Sequence, residues 1–152
     1  PRIAGGYVSN FYRVWAADRI VFTQEDASAS FSPAALERFL IPADRRITSA
    51  FPYSIIHVHS PTVWPVDRWL EVESLSCVEI NYDNNGPRLP ELLPLLKRIQ
   101  EVKPLIIRGE LTVAEIGYVK RHLSPAGLLL NLCSETEEGA RAQMDALRSN
   151  RS

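Results

Sequence analysis

The sequence has little of several features that mark particular protein classes. Its two cysteines, Cys77 and Cys133, are too few for a disulfide framework, so we expect a reducing, cytoplasmic environment. No apolar run reaches membrane-spanning length, and we expect no signal peptide. The formal net charge of -1 excludes a general attraction to nucleic acid or to an anionic membrane. Neither a G-x-G-x-x-G pattern nor a Walker A motif follows a predicted strand, so nucleotide binding has no support and we expect another small-molecule substrate.

The chain does contain enough apolar sequence for one domain with a core. It has 152 residues, of which 45% are apolar, as in an ordinary globular protein. No linker, internal repeat or low-complexity segment divides it, so we expect residues 1–152 to form a single domain. The sequence begins at Pro1 rather than methionine, and helix-like sequence follows almost at once, so we expect it to be a piece of a longer protein.

Short apolar runs alternate with helical patterns along the whole chain. The predicted strands are Arg19–Gln24, Tyr53–His59, Cys77–Tyr82, Pro104–Arg108 and Gly127–Cys133. The predicted helices are Tyr7–Ala17, Ser32–Ala50 with a kink at Pro42, Pro65–Glu73, Leu89–Val102, Thr112–His122 with a capping box, and Thr136–Arg148. Continuous apolar strands favour a parallel α/β sheet covered by helices. Five βα units suit a small doubly wound sheet or part of an eight-stranded barrel.

Polar side chains gather where the predicted strands end. In both architectures the active site forms at the carboxyl ends of the strands. The residues at those ends are Gln24, Glu25, Asp26, His57, His59, Glu79, Asn81, Asp83, Arg108, Glu110, Asn131, Cys133 and Ser134. We therefore expect one functional rim, with apolar residues filling the strand interiors.

The pair His57 and His59 predicts a metal site on this rim. Residues i and i+2 of a strand point to the same side, so both imidazoles face the same way. Cys133 ends another strand and could join them if that strand lies nearby. Two histidines and one cysteine are three zinc ligands with an open fourth position, as in catalytic zinc sites. The alternatives are a hydrogen-bonded histidine pair in a polar pocket and a small buried apolar role for Cys133.

Charged residues of the rim are candidates for catalysis. Four carboxylates could act as a general base, support the histidines or supply a fourth metal ligand: Glu25, Asp26, Glu79 and Asp83. An unpaired carboxylate within the apolar run around Glu79 would be costly. For Asp26 and Asp83 we favour the alternative role of solvating loops or capping helices. Arg108 could hold a substrate carboxylate or phosphate, or form a salt bridge to a neighbouring carboxylate.

The order of these features resembles the uroporphyrinogen decarboxylase superfamily. The resemblance is carried by Arg19–Asp26, Phe31–Pro33, Phe39–Pro42, a following strand that ends in histidine, Gly109 and Ser124–Gly127. It implies that the chain is the C-terminal portion of a TIM (β/α)8 barrel, with about three strands and the N-terminal region missing.

The two branches of that superfamily imply different functions. Porphyrinogen decarboxylases use no metal and carry a Gly-His-Gly segment after the last strand, where this chain has Leu132–Glu135 without histidine. Corrinoid-linked methyltransferases bind zinc through His-x-Cys and a distant cysteine, and the zinc activates a thiol. His57 matches the histidine, His59 takes the position of the first cysteine and Cys133 that of the second. The resemblance implies a zinc-dependent methyltransferase that uses methylcobalamin on a partner corrinoid protein to methylate a small thiol or related nucleophile.

Two other interpretations stay open from the sequence. One is a metal-free decarboxylase of a tetrapyrrole or another polycarboxylate. The other is a non-catalytic half-barrel that binds a partner, because five βα units cannot close an eight-stranded barrel and leave a sheet edge exposed. Such an edge would be covered by a homo-oligomer or by the missing N-terminal half-barrel.

Overall fold

The architecture is α/β, with a five-stranded parallel sheet flanked by helices. The computed structural model describes residues 2–9 and 14–149. The strands are β1 (Arg2–Ile3), β2 (Gly6–Val8), β3 (Trp15–Ala16), β4 (Ile20–Gln24), β5 (Tyr53–His59), β6 (Cys77–Tyr82), β7 (Leu105–Gly109) and β8 (Leu128–Leu132). The helices are α1 (Pro33–Ala35), α2 (Ile41–Ser49), α3 (Val66–Leu70), α4 (Leu89–Val102), α5 (Val113–His122) and α6 (Glu137–Arg148), with a π-helical segment at Leu36–Leu40 and 3₁₀ turns at Asp26–Ser30 and Ser60–Thr62.

The main sheet has the strand order β4-β5-β6-β7-β8. Strand β4 pairs in parallel with β5, which places Gln24 opposite His57, and β7 pairs in parallel with β8. A helix lies between each strand and the next, as parallel pairing requires. The predicted succession of five βα units is therefore confirmed, and its assignment to a (β/α)8 barrel stays a prediction.

The predicted first helix, Tyr7–Ala17, is wrong where the structure describes it. Strands β1, β2 and β3 form a small antiparallel sheet, in which Tyr7 pairs with Ala16. Residues 10–13 of the predicted helix lie outside the described residues. Tyrosine, valine and tryptophan at these positions all favour extended backbone, and strands of two or three residues are too short to show a sequence period.

Local side-chain signals set the helix boundaries. The predicted capping box of α5 is confirmed: Thr112 Oγ1 accepts from the Glu115 backbone N–H, and the Glu115 carboxylate accepts from the Thr112 backbone N–H. The predicted kink near Pro42 corresponds to the π-helical segment that directly precedes α2. Proline has no amide hydrogen to donate to the carbonyl of Arg38, so the regular helix is interrupted there.

The contacts divide the chain into two units, each with its own buried side chains. Unit 1 comprises Pro1–Val58 and Thr62–Glu79, and unit 2 comprises His59–Pro61 and Ile80–Ser152. The buried apolar side chains of unit 1 include Leu36, Ile55, Ile56, Val58, Val66 and Trp69. Those of unit 2 include the predicted stripe of α4 (Leu92, Leu95, Leu96 and Ile99), Leu105, Ile107 and Ile116. None of the helices within residues 2–9 and 14–149 has the length and apolar character to cross a membrane.

Gly109 is the position where backbone geometry most clearly demands glycine. Its φ is +145°, and an added Cβ would lie 2.6 Å from the carbonyl oxygen of Tyr82. We expect Gly109→Ala to lower the free energy of unfolding by about 3 kcal/mol, measured by urea denaturation. The matched control is Gly117→Ala within α5, where the flexible end of Arg121 can move away. That change should be neutral or stabilising by up to about 1 kcal/mol, and equal losses in both variants would contradict the prediction.

Candidate metal centre

The carboxyl end of β5 positions the two histidines. His57 lies between the buried residues Ile56 and Val58, and its own side chain is only 2% exposed. His59, the last residue of the strand, is 37% exposed at the side chain. Because the two residues are i and i+2 of one strand, their imidazoles leave the backbone on the same side, as the sequence predicted.

In unit 1, the ring of His57 lies between two carboxylates. Its Nδ1 is 3.3 Å from Glu79 Oε2, and its Nε2 is 3.6 Å from Asp26 Oδ1. The ring of Phe22 packs against it with a centroid separation of 5.9 Å. The backbone N–H of Glu25 donates to the His57 carbonyl, which ties the acidic segment after β4 to the end of β5. The imidazole therefore has one nitrogen towards the interior and one towards a half-exposed carboxylate.

Glu79 is a fully buried carboxylate of unit 1. Its side chain is 0% exposed, and neither carboxylate oxygen has a hydrogen-bond partner among the described residues. Its Oε2 lies 3.3 Å from Nδ1 of His57. Burial of a carboxylate carries a large desolvation penalty unless a positive group compensates it. The sequence prediction that Glu79 supports the histidine pair agrees with this placement beside His57.

In unit 2, His59 is held by Asp83 and the turn around it. His59 Nδ1 lies 2.9 Å from Asp83 Oδ2 and 3.1 Å from Oδ1. Asp83 Oδ2 also accepts from the backbone N–H of Ser60, and Ser60 Oγ accepts from the backbone N–H of Asp83. Of the two roles considered for Asp83, the structure thus shows support of a histidine rather than loop solvation or helix capping. A carboxylate only accepts hydrogen bonds, so Nδ1 of His59 carries the hydrogen of this contact and Nε2 is the nitrogen that could bind a metal ion.

Arg108 joins the same network through an amide. Its Nη1 donates to Asn81 Oδ1 over 3.0 Å, and Asn81 Nδ2 donates to Asp83 Oδ1 over 2.7 Å. The link from Arg108 to His59 thus runs through Asn81 and Asp83. This connection depends on the neighbouring strands β6 and β7, which the sequence did not order.

Three of these side chains form a group that could hold a metal ion. One ligand atom each from Asp26, His57 and His59 lies within 4.8 Å of the others. The predicted histidine pair therefore belongs to a candidate metal group. Asp26, for which loop solvation or helix capping was the favoured prediction, is 53% exposed but also faces His57 Nε2. The contact between Asp26 and His57 could have been predicted from the register of the sheet. Asp26 comes shortly after Gln24, the residue that pairs with His57 in the parallel strands.

Cys133, the predicted third zinc ligand, is not a member of that group. It lies at the end of β8 in unit 2, where its backbone N–H donates to the Gly109 carbonyl. With Glu110, Ser134 and Gln143 it lines a cleft of about 490 Å³. The role of Cys133 as a zinc ligand stays a prediction from the family resemblance. Cys77 is buried, and burial and the charge of Glu79 raise the pKa of its thiol to about 12.

Glu25, which is half-buried, pairs with the buried Asp44, a contact that the sequence did not indicate. Burial, followed by the charge of Asp44 and a hydrogen bond to it, raises the pKa of Glu25 to about 8. Asp44 lies on the buried face of α2 and accepts from Trp69 Nε1 over 2.8 Å, and burial also raises its pKa. A raised pKa favours the protonated carboxyl, which can donate a hydrogen bond to Asp44. The missed signal is a carboxylate at helical spacing between the buried residues Ile41 and Thr48.

No family model, curated protein or solved structure matches this chain. The fold and site together define an α/β domain with a candidate metal centre of two histidines and one carboxylate at the strand ends. Membership of the uroporphyrinogen decarboxylase superfamily stays a prediction.

Proposed function

We propose that this chain is a metal-dependent enzyme domain that binds one zinc ion through Asp26, His57 and His59. Two imidazole nitrogens and one carboxylate oxygen are a donor set of catalytic zinc sites, in which a fourth position stays open. Ligands about 2.1 Å from a tetrahedral ion lie roughly 3.4 Å apart. The separation of 3.6 Å between Asp26 Oδ1 and His57 Nε2 is already close to that value.

The main support for this proposal is a carboxylate next to Nδ1 of each histidine. Glu79 lies at Nδ1 of His57, and Asp83 lies at Nδ1 of His59. Carboxylates in this position fix the tautomer of a metal-binding histidine and make its other nitrogen a better ligand. The fully buried Glu79 adds support, since a cation held by His57 would offset the charge of a carboxylate that forms no hydrogen bond among the described residues.

The reaction that we propose for the centre is methyl transfer to a small thiol or related nucleophile. This follows the family resemblance, with the methyl group supplied by a corrinoid on a partner protein. Bound zinc would supply Lewis acidity that stabilises the thiolate form of the substrate. The residues of the chain hold and orient the ion: Asp26 contributes the anionic ligand, and Glu79 and Asp83 hold the histidines. The 53% exposure of Asp26 supports access of a substrate from solvent.

Zinc loading combined with thiol labelling tests the proposed ligand set. We expect native mass spectrometry to find one zinc per chain, and iodoacetamide at pH 8 to label Cys133 equally fast with and without zinc. Cys77 should stay unlabelled, because its pKa of about 12 lowers its thiolate fraction about 1000-fold from that of an ordinary thiol. Cys133→Ser is the control that should abolish labelling of the folded protein. If the protein does not retain zinc, the proposed centre is refuted. If zinc protects Cys133 from labelling, Cys133 takes the place of Asp26 in the proposed ligand set.

A further inference from the structure

Asn81 has an amide group whose orientation is set from both sides. Arg108 Nη1 donates to its Oδ1 over 3.0 Å, and its Nδ2 donates to Asp83 Oδ1 over 2.7 Å. A guanidinium group only donates hydrogen bonds and a carboxylate only accepts them. Turning the amide over would therefore oppose donor to donor and acceptor to acceptor. The side chain of Asn81 is locked with its nitrogen towards Asp83.

This locked amide controls how Asp83 meets His59. Asn81 Nδ2 lies 3.3 Å from His59 Nδ1, whereas Asp83 Oδ2 lies 2.9 Å from the same nitrogen. The shorter distance and the negative charge make Asp83 the partner of Nδ1. Asn81 Nδ2 donates to Oδ1 of Asp83 and the Ser60 backbone N–H donates to Oδ2, so the carboxylate is held at both oxygens. The amide thus helps to fix the carboxylate whose two oxygens lie 3.1 Å and 2.9 Å from His59 Nδ1.

We propose that Asn81 is a positioning residue of the metal centre, which holds Asp83 so that His59 presents Nε2 to the ion. The proposal rests on the proposed function, because it assumes that His59 is a ligand. Asn81 does not touch the ion and acts through Asp83. Arg108 has a supporting part, since it fixes the amide that holds the carboxylate. Metal binding by His59 then depends on Asp83 and, through Asp83, on Asn81.

Cobalt binding to variants of Asn81 tests this inference. Asn81→Asp keeps the shape of the side chain but places a second carboxylate against Asp83. Asn81→Ser is neutral and too short to bridge Arg108 and Asp83. Disruption of an outer carboxylate–histidine contact costs about 10-fold to 100-fold in metal affinity, so we expect a loss of that size in both variants. We also expect a changed visible absorption spectrum of the bound Co²⁺, which a purely structural defect far from the ion would not produce.

Asn85→Asp is the matched control, because Asn85 is exposed in the turn that follows Asp83. It introduces the same charge and should keep the affinity within about twofold and the spectrum unchanged. The role of Asn81 would be overturned, and the centre left intact, by one result. In that result the wild-type chain binds the metal, and its affinity and spectrum are matched by Asn81→Asp, Asn81→Ser and Asn85→Asp. No Co²⁺ or Zn²⁺ binding by the wild-type chain would overturn the centre, and the role of Asn81 with it. Circular dichroism and urea midpoints identify any variant whose loss comes from unfolding.

Discussion

Zinc affinity is expected to fall by about 100-fold or more when His57 is replaced by glutamine. Protein sites with a full set of ligands bind zinc with roughly 10–16 kcal/mol, so one ligand is worth on the order of 3 kcal/mol. Glutamine approximates the size of the buried ring but offers no imidazole nitrogen to the ion. His57 is also the residue that faces both Asp26 and Glu79, so its loss separates the exposed ligand from the interior carboxylate.

Competition with a chromophoric chelator measures this loss, with His59→Gln as the second ligand variant. The control is His122→Gln, which changes a histidine in the last turn of α5. The ring of His122 stacks on Tyr118 and bonds to its carbonyl, and it is not part of the candidate ligand group. We expect wild-type affinity in His122→Gln. Wild-type affinity in His57→Gln or His59→Gln would remove that residue from the centre.

Glu79→Gln is expected to weaken zinc binding by about 10-fold to 100-fold without removing a ligand. The change deletes a charge that is 0% exposed and 3.3 Å from His57 Nδ1. A neutral amide is a weaker acceptor than a carboxylate, so the imidazole becomes a poorer donor to the ion. Asp83→Asn makes the same change at His59, where the carboxylate is 21% exposed. Water screens the charge of Asp83 more, and its replacement should cost less affinity.

The order of zinc affinities among these variants tests the role of Glu79. Glu73→Gln is the control, because Glu73 is an exposed carboxylate of the same unit. Calorimetric zinc titrations should place the affinities in the order Glu73→Gln, then Asp83→Asn, then Glu79→Gln from strongest to weakest. The thermal shift on zinc addition should follow the same order, since a ligand stabilises the folded state according to its affinity. Equal zinc affinity in Glu79→Gln and Glu73→Gln would show that the buried carboxylate does not support the centre.

Elements with long apolar patterns were predictable residue by residue. Strand β5, strand β6 and helix α4 have the bounds that the sequence predicted, since each combines an apolar run or stripe with a clear turn or cap at its ends. The antiparallel strands before β4 were missed. They contain two or three residues each, and only their pairing with one another makes them extended.

In the candidate site, too, local features were predictable from the sequence, whereas contacts between distant residues were not. The common direction of His57 and His59 follows from the two-residue period of any strand, and the placement of polar residues at strand ends follows from the parallel α/β pattern. Which carboxylate meets which imidazole depends instead on strand order and register. Those place Gln24 beside His57, and β8, the strand before Cys133, is not a neighbour of β5.

Local rules of the chain were thus enough for the helix caps, the apolar cores of the strands and the facing pair of histidines. Folding was needed to bring Asp26 to His57, Asp83 and Asn81 to His59, and Asp44 to Glu25. The reason is that these contacts join residues far apart in sequence. Their distances are set by the packing of several strands and helices together, and no short segment contains that information.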